Sequence, residues 1–135
     1  MTGASVFIDS NVALYARDDK QIEKSRIADS WLRSLLARKC GRTNLQVLNE
    51  VTHVLLRKRA TLTVEQIFDE VDGLSVFGSS PITPSIVADA RNIRLASRYS
   101  WWDCLLLSSA LDLGCSHFLS EDLRTVGPSP MRDEP

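Results

Sequence analysis

The segment Val6-Phe7-Ile8-Asp9-Ser10-Asn11 decides how the rest of the chain is read, because three apolar residues run straight into a carboxylate. A short apolar run of this kind fits a buried strand, so Asp9 is placed at a strand's carboxyl end. From about Lys20 to Lys39 the residues Ile22, Ile27, Trp31, Leu32, Leu35 and Leu36 recur near helical spacing with charges between them, which predicts an amphipathic helix. Gly41 to Asn44 is a break around a short strand, and Asn44 is a good cap for a helix over 45–58.

Further along, Thr63 and Gln66 have the spacing of a capping box for a helix to about Asp72, ended by Gly73. Leu74 to Phe77 reads as another short strand. Thr83 and Pro84 open a helix through Ile86, Ala90, Ile93 and Leu95 that stops near Tyr99. Asp103 to Leu113 is nearly all apolar, the pattern of a helix enclosed by other elements, and Gly114 closes it. Phe118 and Leu119 supply a final short strand. Short strands alternating with longer helices imply parallel strands joined by helical crossovers, hence an α/β sandwich with a small central sheet.

Composition narrows the function classes. The chain has 135 residues, 44% hydrophobic and 24% charged, which suits one compact domain. Its longest apolar runs, such as Leu105 to Leu107, are a few residues, against about 20 for a membrane span. Met1 to Asp9 lacks a basic start followed by an apolar stretch, so no signal peptide is read and a cytoplasmic location is expected. Cys40, Cys104 and Cys115 never form Cys-x-x-Cys, and only His53 and His117 accompany them. That argues against a disulfide framework and a zinc site, leaving the thiols as small, mostly buried apolar side chains. With no repeat and no linker, residues 1–123 form the domain; the tail 124–135, with three prolines, is expected to be loose.

Four carboxylates occupy positions where charge is not expected. Asp9 ends an apolar strand, Glu50 lies beside the Val47, Val51, Val54 and Leu55 stripe, and Asp103 opens the most apolar helix on the face of Leu106, Leu107 and Ala110. Asp122 follows the last strand. None reads as a solvated surface acid. Taken singly, Asp9 and Asp103 are also explained as a helix cap and a dipole complement, Glu50 as a partly exposed helix residue, and Asp122 as a turn acid. Together, at the carboxyl ends of parallel strands, they would repel one another unless a cation sat between them. Oxygen-only ligands select a hard ion, Mg²⁺ or Mn²⁺.

The segments Phe7-Ile8-Asp9-Ser10-Asn11, Gln46-Val47-Leu48-Asn49-Glu50, Trp102-Asp103-Cys104-Leu105-Leu106 and Leu119-Ser120-Glu121-Asp122-Leu123 resemble, in order, the four acidic motifs of PIN-domain ribonucleases. The resemblance is greatest to the VapC-type toxins of bacterial toxin-antitoxin pairs. It implies a PIN-like three-layer α/β/α sandwich with a small central parallel sheet, and a metal-dependent endoribonuclease carrying Asp9, Glu50, Asp103 and Asp122 as its catalytic acids. Asp9, Asp103 and Asp122 would be metal-side ligands; Glu50 would orient the attacking water or bind a second ion. Asn11 and Ser120 match supporting residues. The cap of the second motif, commonly Ser or Thr in such toxins, is Asn44 here. Family members commonly continue into a final strand, whereas the tail after Leu123 is proline-broken, so the sheet is expected to lack that edge strand. The resemblance also implies an RNA substrate, a cognate antitoxin and a homodimer.

A net charge of −1, from 16 basic and 17 acidic residues, argues against a nucleic-acid partner. Setting aside the four proposed site acids leaves 16 basic against 13 acidic residues, a mildly basic remainder. Arg57, Lys58 and Arg59 end the helix of Glu50, and Arg91, Arg94 and Arg98 recur on one helical face; each group suits either an RNA backbone or a solvated face. Trp101 and Trp102 suit base stacking, though core or dimer packing is the stronger expectation. Other classes fit less well. A haloacid-dehalogenase-like phosphatase wants a second Asp where Asn11 stands, and a receiver domain wants a late Lys, whereas the last one is Lys58. A PIN-fold nuclease of RNA processing outside a toxin system and a non-catalytic PIN-fold binding module stay open as alternatives.

Overall fold

A computed structural model of the chain describes residues 4–58, 61–119 and 125–126. Strand β1 (Val6–Ile8) is wholly buried. It pairs in parallel with β2 (Gly41–Arg42) on one side and β3 (His117–Leu119) on the other, with Val6 opposite both Gly41 and His117. A strand with both edges taken and both faces covered has no room for a charge, which is why the apolar run stops where it does. Phe7 stacks against Phe118 across the sheet, with ring centroids 5.4 Å apart.

The helices follow from local chemistry. Asp9 caps α1 (Ser10–Tyr15), its carboxylate accepting from the Ser10 amide. Helix α2 (Ile22–Ala37) buries Ala28, Trp31, Leu32 and Leu35. Helix α3 (Leu45–Lys58) spans the expected 45–58, and Asn44 Oδ1 accepts from the Val47 amide at 3.0 Å. Helix α4 (Val64–Leu74) opens on the expected capping box of Thr63 and Gln66. Helix α5 (Pro84–Ala96) is capped by Thr83, and α6 (Trp101–Asp112) by Ser100. Gly114, at φ 74°, turns the chain after α6.

Helix α1 packs on α2 and α3, α3 on α4, and α5 on α6. The main core joins the sheet to α1–α4 and to Leu106 and Ala110 of α6, while Ala90, Cys104 and Leu105 form a smaller core between α5 and α6. The architecture is the expected three-layer α/β/α sandwich, mostly helical, around a small parallel sheet. Among the described residues no helix is long and apolar enough to cross a membrane. Cys104 and Cys115 are buried and Cys40 is half-buried, all three as free thiols.

Two expectations are corrected. Leu74 to Phe77 is not a strand: α4 continues through Gly73 to Leu74 and tightens into a 3-10 turn over Ser75–Phe77. Leu74 and Phe77 are buried while Ser75 and Val76 are exposed, a three-residue spacing that four residues cannot separate from a strand. Nor does the sheet lack its edge. Thr125–Val126 forms β4, antiparallel to β3, and completes the order β2-β1-β3-β4. Two β-branched residues are enough for this pairing yet too few to stand out as a run. The remainder of the expected loose tail, 124 and 127–135, lies outside the described residues.

Gly78 holds the turn beside β2. Its φ is 124°, and a Cβ there would stand 2.8 Å from the Thr43 carbonyl oxygen. Strain and clash act together, so Gly78→Ala should lower the free energy of unfolding by about 2–3 kcal/mol, read from urea denaturation. A loss below about 0.5 kcal/mol would show that the turn relaxes freely.

Candidate active site

Asp9 leaves the carboxyl end of β1 with its side chain turned back on the first turn of α1. Its Oδ1 accepts from the Ser10 amide at 2.6 Å, and the Ser10 hydroxyl stands 3.3 Å from the same oxygen. That hydroxyl is nearer to Glu50, donating to Oε2 at 3.0 Å. Gln46, one turn earlier on α3, donates from Nε2 to the other Glu50 oxygen at 3.1 Å. A single serine therefore ties the acid of β1 to the acid of α3. Behind them the buried Thr43 hydroxyl donates to the Ile8 carbonyl at 3.1 Å, which locks the end of β2 to the end of β1.

Burial pushes the Asp9 carboxyl up to about 6; the negative charges of Glu50 and Asp103 add to the rise, and the bonds from Ser10 oppose it. Asp9 thus lies in the field of both Glu50 and Asp103. Asp103 itself is exposed, contrary to the expectation of an acid withdrawn from water. It occupies the first turn of α6, its amide donating to the Ser100 cap at 3.1 Å, ahead of the buried Leu106 and Ala110. Asp122 and Ser120 lie outside the described residues, as does Arg59.

Asn11 is half-buried and lines a recess with Arg17, Asp18 and Lys58. Arg57 and Lys58 are exposed at the end of α3. Arg91 and Arg94 are exposed on α5, but the helix ends at Ala96, so Arg98 does not continue their face as expected. Trp101 and Trp102 are 37% and 63% exposed, so neither packs in the core; both belong to the first turn of α6, before its buried stretch begins. Ser10 and Gln46 are the partners that sequence reasoning missed. Ser10 follows the acid directly, and Gln46 is four residues before Glu50 on one helical face, a spacing that signals contact.

Among the described residues no three of Asp, Glu, His and Cys are grouped closely enough to hold a metal ion by themselves. The donor type and the accumulated negative charge nevertheless fit a hard divalent cation, which keeps several waters of its own.

These features define an α/β protein with an acidic site at the carboxyl end of a parallel sheet. The chain belongs to the PIN domain family, whose family model matches residues 6–125. Its fold is also that of the crystal structure of Mycobacterium tuberculosis VapC20, described as a Sarcin-Ricin loop cleaving toxin. The two are 21% identical, with a TM-score of 0.58 over 86% of this chain and 88% of that one. No curated protein matches by sequence.

The raised Asp9 pKa carries a stability consequence for the metal-free protein. The carboxyl binds its proton more tightly folded than unfolded, so the folded state is favoured below about 4 and loses that advantage as pH rises to about 6. Between those limits unfolding free energy should fall by about 2–3 kcal/mol at 1.36 kcal/mol per unit, and Asp9→Asn should flatten that part of the curve. Urea denaturation in chelator across pH 4–8 measures it; identical profiles for the two proteins would contradict the assignment.

Proposed function

We propose that the chain is a metal-dependent endoribonuclease acting as the toxin of a toxin-antitoxin pair. The observation that carries the reading is the joined field of Asp9, Glu50 and Asp103 at the carboxyl end of β1, in a chain of the PIN family. Asp9, Glu50 and Asp103, with Asp122, would hold Mg²⁺ or Mn²⁺ together with water. When bound, the ion supplies polarisation of a phosphodiester oxygen, a lowered pKa for water and neutralisation of transition-state charge.

The chain's own residues set the rest. Ser10 and Gln46 hold both oxygens of Glu50 by hydrogen bonds, which fixes that carboxylate in a position to orient the attacking water. The Asp9 carboxyl, protonated more readily than usual, is restored to its charged form where a cation replaces its proton. The exposed Arg57, Lys58, Arg91, Arg94 and Arg98 are the described candidates for backbone contacts. No covalent intermediate is required.

Restraint by a cognate antitoxin, a toxin homodimer and a cytoplasmic location are part of this proposal; the shared fold with VapC20, a toxin by its description, supports the toxin reading. The same fold serves equally for a PIN nuclease of RNA processing, and the antitoxin separates the two readings.

Purified protein incubated with structured and single-stranded RNAs should cleave with Mg²⁺ or Mn²⁺ and not in chelator, and Asp9→Asn should lose roughly 10²-fold or more. Mg²⁺ should also raise the thermal midpoint of the wild type more than that of Asp9→Asn, since binding to the folded state stabilises it. Cleavage in chelator, or equal rates for the variant, would refute the site. Toxicity on expression should be relieved by the product of a neighbouring small gene, and the two should co-purify; a toxic chain with no such neighbour would refute the toxin reading.

A further inference from the structure

An open cleft of about 730 Å³ lies beside the acids, walled by Gln46, Asn49, Glu50 and His53 of α3 on one side and by Ile82 and Trp102 on the other. The geometry points to this cleft as a seat for an unpaired nucleobase next to the scissile phosphate, with the Trp102 ring as its stacking platform. The inference rests on the nuclease reading and adds to it the part of the substrate that enters the cleft and the ring that receives it.

Three observations favour a base as the occupant. First, Trp102 is 63% exposed and lines the same cleft as Glu50, so a large aromatic face is held in water beside the acidic site. An indole stacks on any base. Second, the cleft meets the acidic site at Glu50, which is part of its wall. A carboxylate repels the phosphate of an incoming strand and leaves the neutral base as the portion that enters. Third, beside Glu50 its polar wall carries the Gln46 and Asn49 amides and the His53 imidazole, with donors and acceptors suited to a base edge. Gln46, Glu50, His53 and Arg57 follow one face of α3. Arg57 stands about 10 Å along the axis from Glu50, on the side where the strand's next phosphate leaves the carboxylate.

The test uses the Asp9→Asn protein, disabled for cleavage, with and without Trp102→Ala, in fluorescence anisotropy titrations of labelled oligoadenylate of roughly ten nucleotides. Trp102→Ala should weaken binding about tenfold with unchanged circular dichroism, Trp102→Phe should recover most of it, and annealing to oligouridylate should weaken binding to the parent protein. Equal affinity with and without Trp102→Ala, or equal affinity for single strand and duplex, overturns the proposal; a cleft that receives a protein side chain instead gives that result. The two readings fail separately. Binding that depends on Trp102 in a wild-type chain that cleaves no RNA with either ion keeps the cleft and removes the nuclease, whereas metal-dependent cleavage with Trp102-independent binding does the reverse.

Discussion

Parallel pairing of Val6–Ile8 on both edges is the constraint on which the structure depends. Parallel neighbours make all three strands point the same way, so the segments leaving β1, β2 and β3 depart from one edge of the sheet. With strands of only two or three residues, little of the sheet's own hydrogen bonding is available to hold that edge in register. The buried bond from Thr43 to the Ile8 carbonyl supplies one tie, and the bonds from Thr43 and Leu45 to Phe77 and Ser80 anchor the next loop against the same edge. The functional end of the molecule is thereby stiffened by side-chain and loop contacts rather than by strand length.

That rigidity sustains an electrostatic conflict. Ser10 has one hydroxyl proton and faces two carboxylates, so it relieves Glu50 at 3.0 Å more than Asp9 at 3.3 Å. Asp9 has the Ser10 amide instead, and this does not offset its burial. An isolated acid in such a place is a defect of stability; three acids sharing one field are a site whose charge is left for something else to balance. Asn44 shows a smaller conflict of the same origin. Its Oδ1 caps α3, but its Nδ2 is buried without a hydrogen-bond partner among the described residues. A Ser or Thr would cap with one rotatable hydroxyl donor in place of the amide's two.

Much of this was legible in the residues. Strand β1 showed as an apolar run ending on Asp9, α3 was bounded by Asn44 and Lys58, and the capping pair Thr63 and Gln66 marked α4, because each rests on local chemistry that tertiary packing does not override. What failed were segments whose state is set by distant partners. Ser75–Phe77 joined α4 because its buried residues are three apart, and Thr125–Val126 became a strand only because β3 presents a free edge. In the site, the convergence of Asp9 and Glu50 was readable from position, whereas Ser10 as their link depends on how α1 packs on α3, and the exposure of Asp103 and Trp102 on where the first turn of α6 stands. The apolar character of α6 was read as enclosure throughout, but it begins only at Cys104.

The charge count, too, changes meaning once positions are known. On α2 the cations are answered locally: Arg26 by Glu23 and Arg33 by Asp29, exposed pairs at helical spacing. Arg17 near α1 is paired with Glu70 of α4. Among the described residues Arg57, Lys58 and Arg91 form no ion pair of this kind, and all three are exposed. A nearly neutral chain can therefore still present an uncompensated positive end on α3, about two helical turns from Glu50. A phosphodiester strand would meet a gradient rather than a uniformly basic surface. Such a gradient orients a strand more than it attracts one, so a few cations and the cleft that Glu50 shares with Trp102 would matter more than the net charge.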